Sequence, residues 1–438
     1  MLKTFRGGIH PPYNKDFTKH KDIKTAAIPQ KVIIPMSQHV GAPCDPIVKA
    51  GDVVKKGQKI GEAKAFVSAP IHASTSGKVI AVEPHVHPGG GMVMSVIIEA
   101  DGMDEVYEGI TPPKALQQLT PDEIKSIIRE AGIVGMGGAG FPTQVKLSPP
   151  PEKAIDTIIV NGAECEPYLT SDHRLMLEHP ESVVLGLQVI MKATGVKKGY
   201  IAIEENKPDA IEAIKGAVNG RNELEVVHLA TKYPQGGEKQ LINAVTGREV
   251  PSGGLPMDVG VIVDNAGTCA AIANVVKTGM PLIERVTTIT GSGVSEPKNL
   301  LVKIGTPFNY IIQQCGGFKG NPGKVIMGGP MMGLAQSVMD VPVIKGTSGI
   351  LVLQKSEVKL GERTACIRCA RCVDACPINL LPTSIARFSE KGMWNEAEKY
   401  HALDCIECGC CTYVCPAHIP LTQFIRLAKN HIVASRKK

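Results

Sequence analysis

The sequence predicts a multidomain α/β and α+β chain that ends in a helical, cysteine-bearing domain. Three observations carry this. Strand-like apolar runs alternate with helical periodicities through the middle of the chain, glycine-punctuated short strands precede them, and nine of thirteen cysteines fall between Cys366 and Cys415. At 438 residues the chain exceeds one ordinary domain. Its 43% hydrophobic and 21% charged residues exclude a disordered chain. No apolar run reaches the ~18 residues that a membrane-spanning helix needs. MLKTFRGGIHPP has no apolar stretch behind its basic residues, so no secretory signal is expected. The net charge of +6 sits mostly at the C-terminal end, and aromatic residues are 4%. That combination is too weak and too local for a nucleic-acid groove, so no nucleic-acid partner is expected.

Residues 1–30 are polar and proline-rich and read as an N-terminal arm. Over 31–105, runs such as KVIIPM, GKVIAVE and MVMSVIIEA are separated by glycines with no room for a long helix, which predicts a small all-β domain. A helix then starts at Thr120-Pro121-Asp122-Glu123, an N-cap, a first-turn proline and a capping-box acid, and stops at Gly132. Within 115–280, strands at 155–160, 199–204, around LEVVHLA and at 259–264 alternate with helices at 181–194, 208–218 and 268–278. Such alternation predicts an α/β layer with a mainly parallel sheet. Residues 285–355 are strand-rich around one short amphipathic helix, FNYIIQQC, and fit a small α+β domain. Residues 360–438 form the cysteine-bearing block.

Cys366, Cys369, Cys372 and Cys376 precede Pro377; Cys405, Cys408, Cys411 and Cys415 precede Pro416. Both runs read C-x2-C-x2-C-x3-C-P with a constant offset of 39, shared by Arg387 and Arg426, which marks an internal duplication. Three thiolates at this spacing wrap three irons of one cube, and the fourth reaches the other cube. Cys366, Cys369, Cys372 and Cys415 are therefore expected to hold one [4Fe–4S] cluster, and Cys405, Cys408, Cys411 and Cys376 the second. Zinc would use two separated CxxC pairs and leaves the third cysteine and the proline unexplained, twice over. A disulfide framework does not suit a long chain with clustered cysteines and no secretory signal. Cys410 breaks the repeat and is read as a free thiol.

Gly135-Met136-Gly137-Gly138-Ala139-Gly140-Phe141-Pro142 contains G-x-G-x-x-G, but it follows a capped helix and runs into Phe-Pro. The dinucleotide fingerprint would follow a strand and open a helix. Two readings stand: a tight connecting loop, or a loop whose exposed amides approach a planar or phosphorylated cofactor. Lys146 lies six residues beyond the last glycine, within reach of a phosphate. Strand 155–160 ends in NGAECEP and strand 259–264 in DNAGT, and ligands of open α/β sheets bind at such carboxyl ends.

GMGGAGFPTQVK, NGAECEP, YPQGGEKQL and DNAGT, in that order, resemble the flavin-binding subunit of respiratory complex I. With FRGGIHPPYNK at the start and the cysteine repeat at the end, the whole chain resembles the C subunits of Rnf electron-transport complexes. The resemblance implies a barrel-sandwich hybrid over 31–105 and an FMN- and NADH-binding α/β domain over 115–280. It further implies a β-grasp domain over 285–355 and a helical ferredoxin domain with two [4Fe–4S] clusters over 360–438. By similarity, Gly135, Gly137, Gly138 and Gly140 pass over FMN, Lys146 meets its phosphate side, and Asn161, Glu164, Asn265 and Thr268 complete the pocket. Phe141 would stack on the nicotinamide nucleotide, while Glu166 and Glu238, the latter beside Gly236, would bind its ribose or amide. Where the complex I pattern has aspartate and serine, this chain has Ala163 and Cys165. Lys64 lies two residues from the position of the modified lysine in biotinyl and lipoyl domains, and no modification is expected.

The function so implied is that of a peripheral, NADH-linked subunit of an ion-translocating ferredoxin:NAD+ oxidoreductase. Electrons would pass between NAD(H), FMN and the two clusters. Its partners would be membrane and peripheral Rnf subunits and ferredoxin. Its place would be the cytoplasmic inner face of the membrane, with Arg436-Lys437-Lys438 as an aid to attachment. Cobalamin reductases of diol-utilising systems share the arrangement, and a cluster-only relay without catalysis is the second alternative.

Overall fold

A computed structural model describes residues 2–358 and 361–436. Lys437 and Lys438, invoked for membrane attachment, lie outside the described residues. The capped helix is present as read: in Pro121–Glu130 the Thr120 hydroxyl accepts from the Glu123 amide at 3.2 Å, and the Glu123 carboxylate accepts from the Thr120 amide at 2.8 Å.

Four parallel strands form the sheet of the central domain, in the spatial order Leu224–Leu229, Gly199–Glu204, Thr157–Gly162, Val261–Asn265. Alternate residues point to opposite faces of a strand, and both faces here are covered. Ile158, Val160, Ile201 and Ile203 pack against helices Pro180–Thr194, Pro208–Val218 and Ala266–Thr278. Ile159, Ala202, Val261 and Val263 pack against Leu241 and Ile242 of helix Glu238–Thr246. Burial on both faces explains why these strands read as continuous apolar runs rather than alternations. Chain order along the sheet is third, second, first, fourth, so the winding reverses between Thr157–Gly162 and Val261–Asn265. A crevice opens at such a reversal, outside the carboxyl ends of the two strands.

Ahead of this domain, Lys31–Pro35, Met92–Ala100, Gly77–Val86 and Val53–Val54 form one antiparallel sheet. Asp45–Pro46, Lys59–Glu62 and Ile71–His72 form a second. Val32, Ile34, Ile60, Ile71, Val79 and Val96 fill the space between the two. After it, a six-stranded mixed sheet surrounds helix Phe308–Gln314. Its edge strand is Ile23–Thr25, contributed by the N-terminal arm and paired in parallel with Lys298–Lys303. The arm is thus not a free extension; its apolar Ile23 and Ala26 complete a sheet some 275 residues away in sequence.

The last domain packs helices Pro382–Glu390, Trp394–Lys399 and Leu421–Arg436. Its duplication is also written in the backbone. Left-handed residues occur at Arg368, Ala370 and Asn379, and again 39 positions later at Glu407, Gly409 and His418. Both cysteine runs therefore wind the same way.

Candidate functional site

At the winding reversal, Asn161 and Asn265 stand at the carboxyl ends of adjacent strands, paired with each other in register. Asn265 caps helix Ala266–Thr278, its side-chain oxygen accepting from the Gly267 amide at 2.8 Å, and its nitrogen donates to Asp172 at 2.6 Å. Thr268 is buried and its hydroxyl accepts from the Met136 amide at 3.0 Å. That bond ties the glycine loop over the crevice. The loop closes on itself through the Gly135 amide, which donates to the Phe141 carbonyl at 2.9 Å, and Phe141 is half-buried beside it.

The glycines differ in what requires them. A Cβ on Gly137 would come within 2.8 Å of the Asn265 amide nitrogen, and Gly140 has φ +70° with a Cβ position 3.3 Å from the Gln38 carbonyl. Gly138 is exposed, has no positive φ, and a Cβ there would meet nothing within 4 Å. The fold does not need a glycine at that position, and the space beside it is open.

Lys146 lies at the end of the short helix Thr143–Lys146, its ammonium 2.8 Å from the Val263 carbonyl, 3.4 Å from Glu238 and 3.8 Å from Asp264. Burial works against its charge, but Asp264 and Glu238 outweigh that and raise its pKa. Burial pushes the Asp264 carboxyl up to about 6, although Lys146 pulls the other way. Both Asp264 oxygens lack a hydrogen-bond partner, as do the Thr143 hydroxyl and both polar atoms of the Gln235 amide. Buried polar groups are ordinarily paired. The Asp264 carboxylate without a hydrogen-bond partner, beside the Lys146 ammonium near the end of a parallel strand, suits a ligand bearing hydroxyl and phosphate groups, and so fits FMN.

Two expected contacts are already engaged elsewhere. Glu164, in the left-handed region at φ 43°, accepts from the Asp172 amide at 2.8 Å and the His173 amide at 3.2 Å, capping helix Ser171–Glu178. Burial and this neighbouring carboxylate push up the pKa of Asp172. Glu166 holds the Met-rich loop, accepting from the amides of Met331 at 3.1 Å and Met332 at 2.7 Å. Glu238, with its side chain 43% exposed beside Lys146, remains open to a ligand. Gly236 packs on the opposite wall: its amide donates to the Cys165 sulfur at 3.3 Å and its carbonyl accepts from Asn161 at 2.8 Å.

Residues that sequence reasoning passed over hold this arrangement together. The Lys15 ammonium donates to the carbonyls of Glu164, Glu166 and Leu169 at 2.8, 3.1 and 2.6 Å. Lys207, fully buried, donates to the Ala163 carbonyl at 2.6 Å and pairs with Glu204 at 3.2 Å. Two buried ammoniums thus shape the NGAECEP turn from beneath. Only Asp264, already within a noted motif, carried a signal: an acid inside an otherwise apolar strand.

In the cysteine domain, Cys376, Cys405, Cys408 and Cys411 line one apolar cavity together with Ile378, Leu380, Ile406 and Ile425. This is the crossed set expected for the second cluster. The Cys376 sulfur accepts from the Leu380 amide at 3.3 Å, and Cys405 from the Glu407 amide at 3.4 Å, the kind of bond that tunes a cluster's potential. Cys372 and Cys415 fall in a second apolar cluster with Ala386, Ile419 and Leu421. Cys366 and Cys369 lie on the exposed segment 361–371. Among the described residues no three His, Cys, Asp or Glu side chains converge as a single ion requires. Each thiolate of a four-iron cube binds its own iron, so the cavity and donor set fit [4Fe–4S].

Comparison with known proteins agrees with this architecture. Family models match at residues 3–103 (RnfC barrel sandwich hybrid domain), 128–274 (Nuo51 FMN-binding domain), 286–335 (SLBB domain) and 365–419 (4Fe-4S dicluster domain). The C subunit of the Na+-translocating ferredoxin:NAD+ oxidoreductase complex of Acetobacterium woodii is 55% identical over 99% of this chain and 98% of its own length. The chain belongs to the family of Rnf complex C subunits. The C subunit of the proton-translocating complex of Clostridium ljungdahlii is 56% identical over 100% of this chain and 96% of its own. That of the Rhodobacter capsulatus ion-translocating complex is 44% identical over 98% and 83%. An NAD+-reducing [NiFe]-hydrogenase in the air-oxidised state shares the fold, with TM-score 0.50 and 19% identity over 66% of this chain and 55% of its own. FMN-binding and dicluster domains in one such chain make it a redox subunit with both cofactor types. No helix among its described residues is long and apolar enough to cross a membrane.

Proposed function

We propose that this chain is the NADH-linked subunit of an ion-translocating ferredoxin:NAD+ oxidoreductase, peripheral on the inner face of the cell membrane and held there by membrane subunits. The observation that carries the reading is the pairing of two sites in one molecule. Asp264, without a hydrogen-bond partner, and the open Gly138 belong to loops and strands at the carboxyl ends of a parallel sheet, where ligands of such sheets bind, and a four-cysteine cavity belongs to the domain packed against it. FMN, when bound, supplies the exchange between a two-electron donor and one-electron acceptors. NADH would give up a hydride and leave as NAD+, and each cluster would take one of the two electrons.

The chain's own groups do the positioning. Thr268 and Asn265 fix the glycine loop, Asn161 and Gly236 form the opposite wall, and Lys146 with Asp264 meets the phosphate and ribityl end. Phe141 and Glu238 face the nucleotide, whereas Glu166 keeps the Met-rich loop in place. Ferredoxin lies further along the same electron path. The Acetobacterium woodii and Clostridium ljungdahlii relatives carry different coupling ions in their names, and with no spanning helix among its described residues this chain leaves ion movement to membrane subunits. The same relatives weigh against the cobalamin-reductase alternative.

An anaerobic titration with NADH after reconstitution tests the reading. About eight irons with flavin absorbance bleached by NADH are expected. Eight irons without flavin binding or bleaching would leave only the relay alternative.

A further inference from the structure

The N-terminal arm and the flavin-side loop meet the second cysteine set at one place. Tyr233 is fully buried, and its hydroxyl donates to the Cys408 carbonyl at 2.8 Å. Its backbone pairs twice with Ile9, at 2.9 and 2.8 Å, and its carbonyl lies 3.9 Å from the Cys410 sulfur. Next along the arm, the Gly8 amide donates to the Ala375 carbonyl at 3.0 Å. Gly7 and Gly8 both have φ near +80°, and a Cβ would come within 2.7 Å of the Cys376 carbonyl or 2.6 Å of the Tyr233 carbonyl. Only glycine allows both the left-handed backbone and this approach. Gln240, on the helix that Glu238 begins, donates to the Pro377 carbonyl at 3.2 Å. Ile9, Cys165, Tyr233, Ala375, Cys408 and Cys410 share one apolar cluster. The Gly236 wall of the crevice and the loops carrying Cys376 and Cys408 are thus held by a single set of contacts. Cys366 and Cys369 lie on an exposed segment instead.

We propose that residues Phe5–Ile9 and Tyr233 form a positioning clamp. It sets the gap between the flavin crevice and the cluster of Cys376, Cys405, Cys408 and Cys411, making that cluster the first to receive an electron. The inference rests on the flavin and iron–sulfur reading above. Electron by electron, reduced flavin is oxidised and this cluster reduced; no bond is formed or broken in the protein. Tyr233 acts through the backbone it holds and is a positioning residue.

The test uses the full chain reconstituted with FMN and iron, mixed rapidly with NADH and frozen for paramagnetic resonance. The two cluster signals are assigned with a Cys369→Ser chain. In Tyr233→Phe and Gly7→Ala the first cluster signal should appear severalfold more slowly, because electron transfer between fixed cofactors falls steeply as the gap between them widens. Iron and flavin contents, flavin bleaching by NADH and the midpoint potential of that cluster should stay at parental values. In the cofactor-free chain, amide exchange over 405–411 should quicken in Tyr233→Phe. Parental transfer rates in both variants would overturn the clamp. So would a first electron on the cluster of Cys366, or loss of four irons with flavin kept, which would make the bond merely structural. If NADH fails to bleach the parental chain, the functional reading fails, and the exchange measurement alone then decides the clamp.

Discussion

The Glu166 carboxylate, in the flavin domain, accepts the Met332 amide of the neighbouring β-grasp domain at 2.7 Å. A Cβ on Gly329 would overlap the same carboxylate, so the Met-rich turn is moulded around one acid. Burial pushes the Glu166 carboxyl from 4.5 to about 7, against the pull of the Met331 and Met332 amides. Between those values the native chain keeps a proton that the unfolded chain releases, so this group's contribution falls as pH rises. In Glu166→Gln that slope disappears. Urea midpoints at pH 5 and pH 8 should therefore drop more for the parent than for the variant, and equal drops would refute the assignment.

Gly138 and Gly137 should respond oppositely to substitution. Gly138→Val meets no protein atom and should leave the melting temperature within about 1 °C of the parent, as surface changes do, while abolishing flavin binding. Gly137→Ala pushes on Asn265 and should lower stability even in the flavin-free chain. Flavin absorbance and thermal unfolding measure both. Full flavin occupancy in Gly138→Val would show that the loop does not cover the cofactor.

Cys376→Ala removes the one cavity ligand that comes from the other cysteine run. Iron content should fall from about eight toward about four, and the surviving resonance should be that of the cluster held by Cys366, Cys369, Cys372 and Cys415. Survival of the Cys405, Cys408 and Cys411 cluster instead would mean uncrossed ligation.

Lys15→Met leaves three carbonyls beneath the NGAECEP turn without their donor, at a cost of about 3 kcal/mol. Burial lowers the Lys15 ammonium from 10.5 to about 8. Between those values the unfolded chain binds the proton that the native chain lacks, so parental stability gains with rising pH from about 8 to 10.5. The variant should lose that gain. Denaturant titrations at pH 8 and pH 10 would show it, and parallel curves would contradict the role given to Lys15.

Much of the site was legible because it is local. Each cysteine run spans eleven residues, and the Thr120–Glu123 cap is a four-residue pattern. Strands such as Thr157–Gly162 declared themselves by apolar runs, displaced by two residues from the sequence-based bounds. Helix Ser171–Glu178 escaped notice because its cap is Glu164, seven residues upstream, while Thr170 makes no side-chain cap bond. Glu166 makes its amide contact 165 residues away, with a loop that nothing around it in sequence announces. Lys15 and Tyr233 stand inside the FRGGIHPPYNK and YPQGGEKQL motifs, but nothing near either in sequence hints at its partner in another domain.

The arm's seat against Ala375 and Cys376 also orders biogenesis. Phe5–Ile9 are synthesised long before those partners, and strand Ile23–Thr25 long before Lys298–Lys303. Ile9 has its Tyr233 partner earlier, but the contacts of Gly7 and Gly8 with Ala375 and Cys376 wait for the last domain, and such non-local closures come late and slowly. The arm is thus among the last parts to settle, and it settles onto the backbone of the cysteine loops. Closure of the arm needs the loops carrying Cys376 and Cys408 in place, so scarcity of iron during growth should leave the arm open to proteases.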